Sequence, residues 1–161
     1  MSKIYFFNGW AMDQNLLSPL INSTEYEIKV INFPYNIDKT SIDKEDIFIA
    51  YSFGVYYLNK FLSENQDLVY EKAIGINGLP ETIGKFGINE KMFNMTLETL
   101  NKENLEKFLL NMDIDESFGR ANKTLEEAKY ELQYFKDNYK AIPNCIDFYY
   151  IGKNDRIIPA N

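Results

Sequence analysis

The 161 residues contain no histidine, so the side chain that most often moves protons at neutral pH is missing from them. Cysteine is nearly missing too. Cys145 stands alone, which rules out a disulfide within the chain and fits a reducing compartment. We read it as a small buried apolar residue beside a strand. Cations are outnumbered: 17 Lys and Arg face 24 Asp and Glu, for a net charge of −7. No basic stripe with interleaved aromatics is present, and an acidic chain cannot neutralise a phosphate backbone, so nucleic acid is excluded as a partner. No apolar run approaches the roughly 20 residues of a membrane span. The opening "MSKIYFFNGW" enters a strand at once, without the apolar segment and cleavage site of a signal peptide. A cytoplasmic protein is therefore expected, and Asn22-Ser23-Thr24 and Asn94-Met95-Thr96 match the glycosylation pattern by chance. Internal repeats, low-complexity tracts and linkers are absent as well.

What is present is a globular composition: 45% hydrophobic residues, with 12 Tyr and 12 Phe. This suffices for one domain over residues 1–161. Five short runs rich in Ile, Phe, Tyr and Val predict strands: "KIYFF" (3–7), "YEIKVI" (26–31), "DIFIAY" (46–51), "EKAIGI" (71–76) and "IDFYYI" (146–151). Several are continuous rather than alternating, the pattern of strands buried on both faces. The expectation is an α/β sandwich with a mostly parallel sheet and helices on each side. Helices are predicted at 13–21 and 53–65. Between Ile76 and Ile146 lie 69 residues, far more than one crossover needs. They carry two further helical patterns, at 95–112 and 123–139, the second opened by a Thr124/Glu127 capping box. The domain thus divides into a core, 1–77 and 141–161, and an insertion, about 78–140. The insertion either packs on the sheet or forms a helical lid over a site at its edge.

The chemistry centres on "DIFIAYSFGVYYLNKF", Asp46 to Phe61. Strand, sharp turn and helix follow one another with Ser52 at the turn. Ala50-Tyr51-Ser52-Phe53-Gly54 fits the Gly-x-Ser-x-Gly nucleophile elbow, with alanine at the first small position. The same residues also fit an ordinary turn in which Ser52 caps the helix. An elbow nucleophile needs two backbone N–H groups for the oxyanion. Phe53 would supply one. The loop after the first strand, Asn8-Gly9-Trp10-Ala11, would supply the other through Trp10, with Gly9 letting the backbone come close. The Trp10 side chain would pack in the core or against the insertion. Asp155, in "GKND" after the last predicted strand, stands where the acid of a Ser–acid–His triad belongs, although a lone Asp there also makes a turn.

Together these segments resemble a known family. "YFFNGWAMD", "AYSFG", "AIGINGLPETIGKFGI", "MFNMTLETL", "FLLNM" and "GKNDRIIPAN" look like the BioG-type pimeloyl-acyl-carrier-protein methyl ester esterases of biotin synthesis, over nearly all 161 residues. The resemblance implies an α/β-hydrolase fold and a serine carboxylesterase that removes the methyl group from a pimeloyl ester on acyl-carrier protein. It makes Ser52 the nucleophile, Asp155 the acid and the N–H groups of Trp10 and Phe53 the oxyanion hole. Gly9, Ala50 and Gly54 support the loop and elbow, and the lid covers the acyl chain. No metal or organic cofactor is implied.

Two departures stand out. Ala50 replaces glycine, and the base is missing: in the family the histidine lies after one more strand, a few tens of residues beyond the acid, and that last strand and its following helix are expected to be absent from these residues. The expectation is a member shortened at its C-terminus and nearly inactive over these residues, because losing a triad member costs orders of magnitude. Lys153, normally charged at neutral pH, is no replacement. A non-catalytic relic that only binds acyl groups, and a thioesterase or acyltransferase, remain alternatives. Carrier protein would dock on a local patch such as Lys102, Lys107, Arg120, Lys123 and Lys129, or those residues are simply a solvated face with interleaved acids.

Overall fold

The computed structural model describes residues 1–112 and 118–155. Five strands form one parallel sheet: β1 (Lys3–Phe7), β2 (Glu27–Ile31), β3 (Ile47–Tyr51), β4 (Lys72–Ile76) and β5 (Phe148–Tyr150), in the order β2-β1-β3-β4-β5. All five match the expected runs, and every neighbouring pair is parallel. Residues 113–117 of the insertion and 156–161 of the closing "GKNDRIIPAN" segment lie outside the described residues.

The two faces of the sheet are covered unequally. Tyr5, Phe7, Phe48, Ala50 and Ala73 are buried on one face under α2 (Phe53–Glu64), which contributes Val55, Leu58 and Leu62. This is the main core, and full burial of each large side chain there stabilises the fold by about 1.5–3 kcal/mol. Asn59 ties the helix to the approach to β5: its Nδ2 donates to the Pro143 carbonyl (2.8 Å), and its Oδ1 accepts the Cys145 N–H (2.6 Å). Cys145 itself is half-buried rather than buried: its side chain packs at the margin of this core, with Sγ 3.7 Å from the Pro143 carbonyl. On the opposite face Ile47, Ile49, Ile74 and Ile76 are only half-covered, and Phe148 and Tyr150 of the edge strand β5 are exposed. β5 is the last strand among the described residues, so its outer edge is unpaired there.

The first predicted helix, 13–21, forms as a 3₁₀ turn at Gln14–Leu17 followed by α1 (Ser18–Ser23). Pro19 sits in the first turn of α1, where its missing N–H costs nothing. Helix 95–112 is corrected to two helices, α3 (Glu90–Thr99) and α4 (Lys102–Asn111). Leu100 is buried and extended between them, and Asn101 caps α4 by accepting the Asn104 N–H (2.8 Å). The apolar spacing runs through this break, so periodicity alone could not find it. α5 (Leu125–Asn138) has the expected capping box, with Thr124 Oγ1 accepting the Glu127 N–H and Glu127 accepting the Thr124 N–H. Its Ala128, Leu132 and Phe135 form a second core with Trp10, Phe53, Tyr56 and Phe93. No helix among the described residues is long and apolar enough to cross a membrane.

Candidate active site

The chain leaves β1 toward β2 on one side and leaves β3 toward β4 on the other. Neighbouring parallel strands whose connections diverge this way open a crevice at their carboxyl ends, where open α/β sheets bind ligands. Both sequence motifs fall there: residues 8–12 follow β1, and Ser52 follows β3.

Ser52 is the single residue between β3 and α2, and its backbone is strained at φ 53°, ψ −123°. The strain is held from three sides. Its N–H donates to the Ile76 carbonyl (3.0 Å), its carbonyl accepts the Val55 N–H (3.0 Å), and Gly54 lets α2 start against the end of β1. A Cβ on Gly54 would lie 2.2 Å from the Phe7 oxygen and 2.6 Å from the Asn8 oxygen, so only glycine fits. Ala50, by contrast, carries its methyl in the core at 0% exposure, where that extra carbon is accommodated. Ser52 does not cap α2: its side chain makes no cap hydrogen bond, and the hydroxyl bonds to no described residue. It is half-buried at the mouth of the crevice.

The loop after β1 comes directly alongside. A Cβ on Gly9 would sit 3.2 Å from the Ser52 Cβ. Asn8, 1% exposed, organises this loop: its Nδ2 donates to the Asp13 carbonyl (3.0 Å) and to Asn32 Oδ1 (3.1 Å), while its Oδ1 accepts the Gly9 N–H (3.1 Å). Its carbonyl accepts the Tyr35 hydroxyl (2.8 Å). Burial pushes that Tyr35 phenol well above its ordinary value, so it remains a donor. The N–H groups of Trp10 and Phe53 have no acceptor among the described residues, and Phe53 opens a helix, where such donors are left over. The Trp10 ring is buried against Phe108 (4.8 Å between centroids), and its indole N–H donates to the Ala128 carbonyl (2.8 Å).

Asp155 follows β5 at the same carboxyl end, two strands from Ser52. Its loop is tied back to the sheet through Asn77, a positive-φ residue after β4. The Asn77 N–H donates to the Tyr150 carbonyl (2.9 Å), its Oδ1 accepts the Gly152 N–H (2.8 Å), and the Asp155 N–H donates to the Gly152 carbonyl (3.1 Å). Beside the elbow lies an apolar cavity of about 230 Å³, lined by Phe6, Met12, Leu16, Tyr51, Met112 and Phe118 among others.

These 161 residues match no family model and no curated relative. They are similar to a solved structure of BioG from Haemophilus influenzae, with 20% identity, 98% of this chain and 78% of that one covered, and a TM-score of 0.81. The fold is an α/β-hydrolase fold. A carboxylesterase from Bacillus subtilis, titled naproxen esterase, aligns at 14% identity over 97% of this chain and 63% of its own, with a TM-score of 0.49.

Within this fold, sequence reading missed the residues that hold the site rather than form it. Asn8, Tyr35, Asn77 and Glu131 are ordinary polar letters, and only their partners distinguish them. Glu131 is 5% exposed, accepts the Ala11 N–H (3.1 Å) and pairs with Lys123. Burial raises its carboxyl pKa, and the Lys123 ammonium and Ala11 N–H offset part of that rise. Three of the five cations suggested as a docking patch are engaged by carboxylates: Lys107 with Glu103, Arg120 with Glu106 and Lys123 with Glu131. No group of three or more acidic or Cys side chains among the described residues could hold a metal ion.

Proposed function

We propose that these residues form the nucleophile half of a serine esterase, with Ser52 as nucleophile and the N–H groups of Trp10 and Phe53 as the oxyanion hole. The observation that carries this is Ser52 itself: a non-glycine residue in a strained conformation, with its hydroxyl bonded to no described residue, beside two backbone N–H groups that no described residue accepts. Strain at a turn persists where a function needs it, and a helix-capping serine would have bonded its own helix. In the reaction, Ser52 Oγ attacks the ester carbonyl and its proton passes to a base. The carbonyl oxygen takes the negative charge opposite the two N–H groups. The alkoxy group leaves with a proton as alcohol, and water then releases the acid and frees Ser52.

We assign Asp155 as the acid that orients the base. Its loop leaves β5 at the carboxyl end of the sheet, two strands from the end of β3 that carries Ser52. The base, an imidazole, has to come from outside these 161 residues, which contain no histidine. The substrate we propose is the methyl ester of pimeloyl-acyl-carrier protein, in the cytoplasm. The resemblance in sequence and the likeness to BioG support it. The 230 Å³ cavity is below the roughly 300–1,000 Å³ of sites for drug-sized ligands and is apolar, which suits a short acyl chain under the lid of residues 78–140.

The test exploits the missing base. The chain is treated with a p-nitrophenyl alkylphosphonate, with and without added imidazole, and the labelled residue is found by mass spectrometry. Slow labelling at Ser52, accelerated by imidazole and abolished in Ser52→Ala, is expected. No labelling of Ser52 at any imidazole concentration refutes the reading. Comparing a methyl ester with a thioester on the same carrier protein then separates esterase from thioesterase.

A further inference from the structure

The N–H of Trp10 lies within a short span that α5 grips on both sides. On one side the Trp10 indole donates to the Ala128 carbonyl (2.8 Å). On the other, the Ala11 N–H donates to Glu131 Oε2 (3.1 Å). Ala128 and Glu131 are three residues apart, on one face of the helix. Between these anchors the backbone bends sharply, and Ala11 takes φ 57°, a left-handed conformation that alanine avoids. Something must impose that bend. Glu131 is suited to do so, because a carboxylate is a stronger acceptor for a backbone N–H than a neutral oxygen.

A carboxylate is also an expensive group to place there. Glu131 borders a tight slot lined by Trp10, Phe33, Tyr35, Phe53 and Tyr57, and desolvation works against its charge. Lys123 answers with an ammonium 2.5 Å from Oε1, itself only 17% exposed. Both oxygens thus have a partner, one inward to the loop and one to the cation. Leucine would pack as well on this helix face, where Leu132 and Phe135 are already buried. A buried charge with a second charge to support it is more than packing requires.

We infer that Glu131, held by Lys123, is a positioning residue that sets the Trp10 N–H as an oxyanion donor for Ser52. On this view α5 is a fixed brace of the oxyanion loop. The inference rests on the esterase reading for its purpose, though the brace itself can be observed without it.

Trp10 is the only tryptophan, so its emission reports this loop alone. Two variants of the full chain serve: Glu131→Leu, which removes the acceptor at similar volume, and Glu131→Gln, which keeps an oxygen but loses the charge. Acrylamide quenching of Trp10 is measured at a temperature where circular dichroism shows each protein folded. Imidazole-assisted phosphonylation of Ser52 is measured alongside. A donor misplaced by 1 Å can cost on the order of 100-fold, so Glu131→Leu is expected to lower the labelling rate by about that factor and to raise the quenching constant about twofold or more. Glu131→Gln should fall between it and the wild type, at least fivefold slower than wild type. A merely structural role would lower the melting temperature and leave both readouts unchanged. Labelling and quenching within twofold of wild type in Glu131→Leu overturn the inference. If that variant does not fold, wild-type values in Glu131→Gln overturn it. A wild-type chain whose Ser52 is never labelled instead refutes the esterase reading, and the quenching comparison alone then decides whether Glu131 holds the loop.

Discussion

Replacing Gly54 by alanine adds one carbon where the structure has no room. The new Cβ would lie 2.2 Å from the Phe7 oxygen, against a floor of 3.0 Å for real Cβ contacts, and 2.6 Å from the Asn8 oxygen. Both obstacles are backbone, at the end of a central strand, so neither can rotate away. The start of α2 must therefore retreat by at least 0.8 Å, the difference between 3.0 and 2.2 Å. Overpacking of this kind costs about 1–3 kcal/mol. Alanine's better helix propensity returns up to about 1 kcal/mol, so steric strain wins and a net loss of about 1–2 kcal/mol is expected. In a chain of this size that lowers the melting temperature by about 5 °C. The same retreat carries Ser52 and the Phe53 N–H away from the loop after β1, so phosphonate labelling should slow by on the order of 100-fold. Urea unfolding and the labelling rate are measured on one preparation. A Gly54→Ala protein as stable as the parent, or one whose Ser52 labels at the parent rate, would refute the argument that α2 is pressed onto β1 to shape the elbow.

Three further outcomes are expected. Ser52→Gly should raise stability by about 1 kcal/mol in urea unfolding while ending all labelling, because glycine adopts φ 53° without strain; no gain would mean that the elbow is unstrained. Asp46, fully buried, accepts the N–H groups of Lys3 (2.7 Å) and Asp43 (2.9 Å). Burial alone would raise its pKa, but the N–H groups of Asp43 and Lys3 and the Lys3 charge outweigh it and hold the carboxyl below its ordinary 3.8. Its contribution is therefore present above that pH and lost as pH falls through the depressed value. Asp46→Asn should cost about 2 kcal/mol at pH 7, and the gap to wild type should close below pH 3.8; a gap independent of pH would contradict this. Phe148→Lys, on the outer strand at 54% accessibility, should reduce concentration-dependent light scattering by placing a charge on a strand whose outer edge is unpaired among the described residues; unchanged scattering would point to association elsewhere.

Much of the architecture could be read from the amino acids because its determinants are local. Five β-rich runs gave five strands, with ends within two residues of those expected. The Thr124/Glu127 box formed as spelled. Ala50-Tyr51-Ser52-Phe53-Gly54 formed the strand-to-helix turn because a small residue at 54 is a steric requirement of that turn. Where determinants are not local, reading failed. The break at Leu100 and Asn101 interrupts an apolar rhythm that continues through it, and a buried Leu100 together with a side-chain cap decides it. Half-exposed isoleucines on one face of the sheet look no different in sequence from the buried residues opposite.

The sequence by itself determined which residues can do chemistry: a serine between a strand and a helix, a glycine-bearing loop after the first strand, an aspartate after the last, and no imidazole. Tertiary structure decided which of them meet. Strand order brings the ends of β1 and β3 side by side, although 39 residues (8–46) separate the two strands in the chain. It also places Glu131, one acid among many on an amphipathic helix, against the Ala11 N–H from 120 residues away. The physical reason is that propensity and steric demands act over a few residues, whereas desolvating a carboxylate and pairing it with a backbone donor depend on what the whole fold brings into contact.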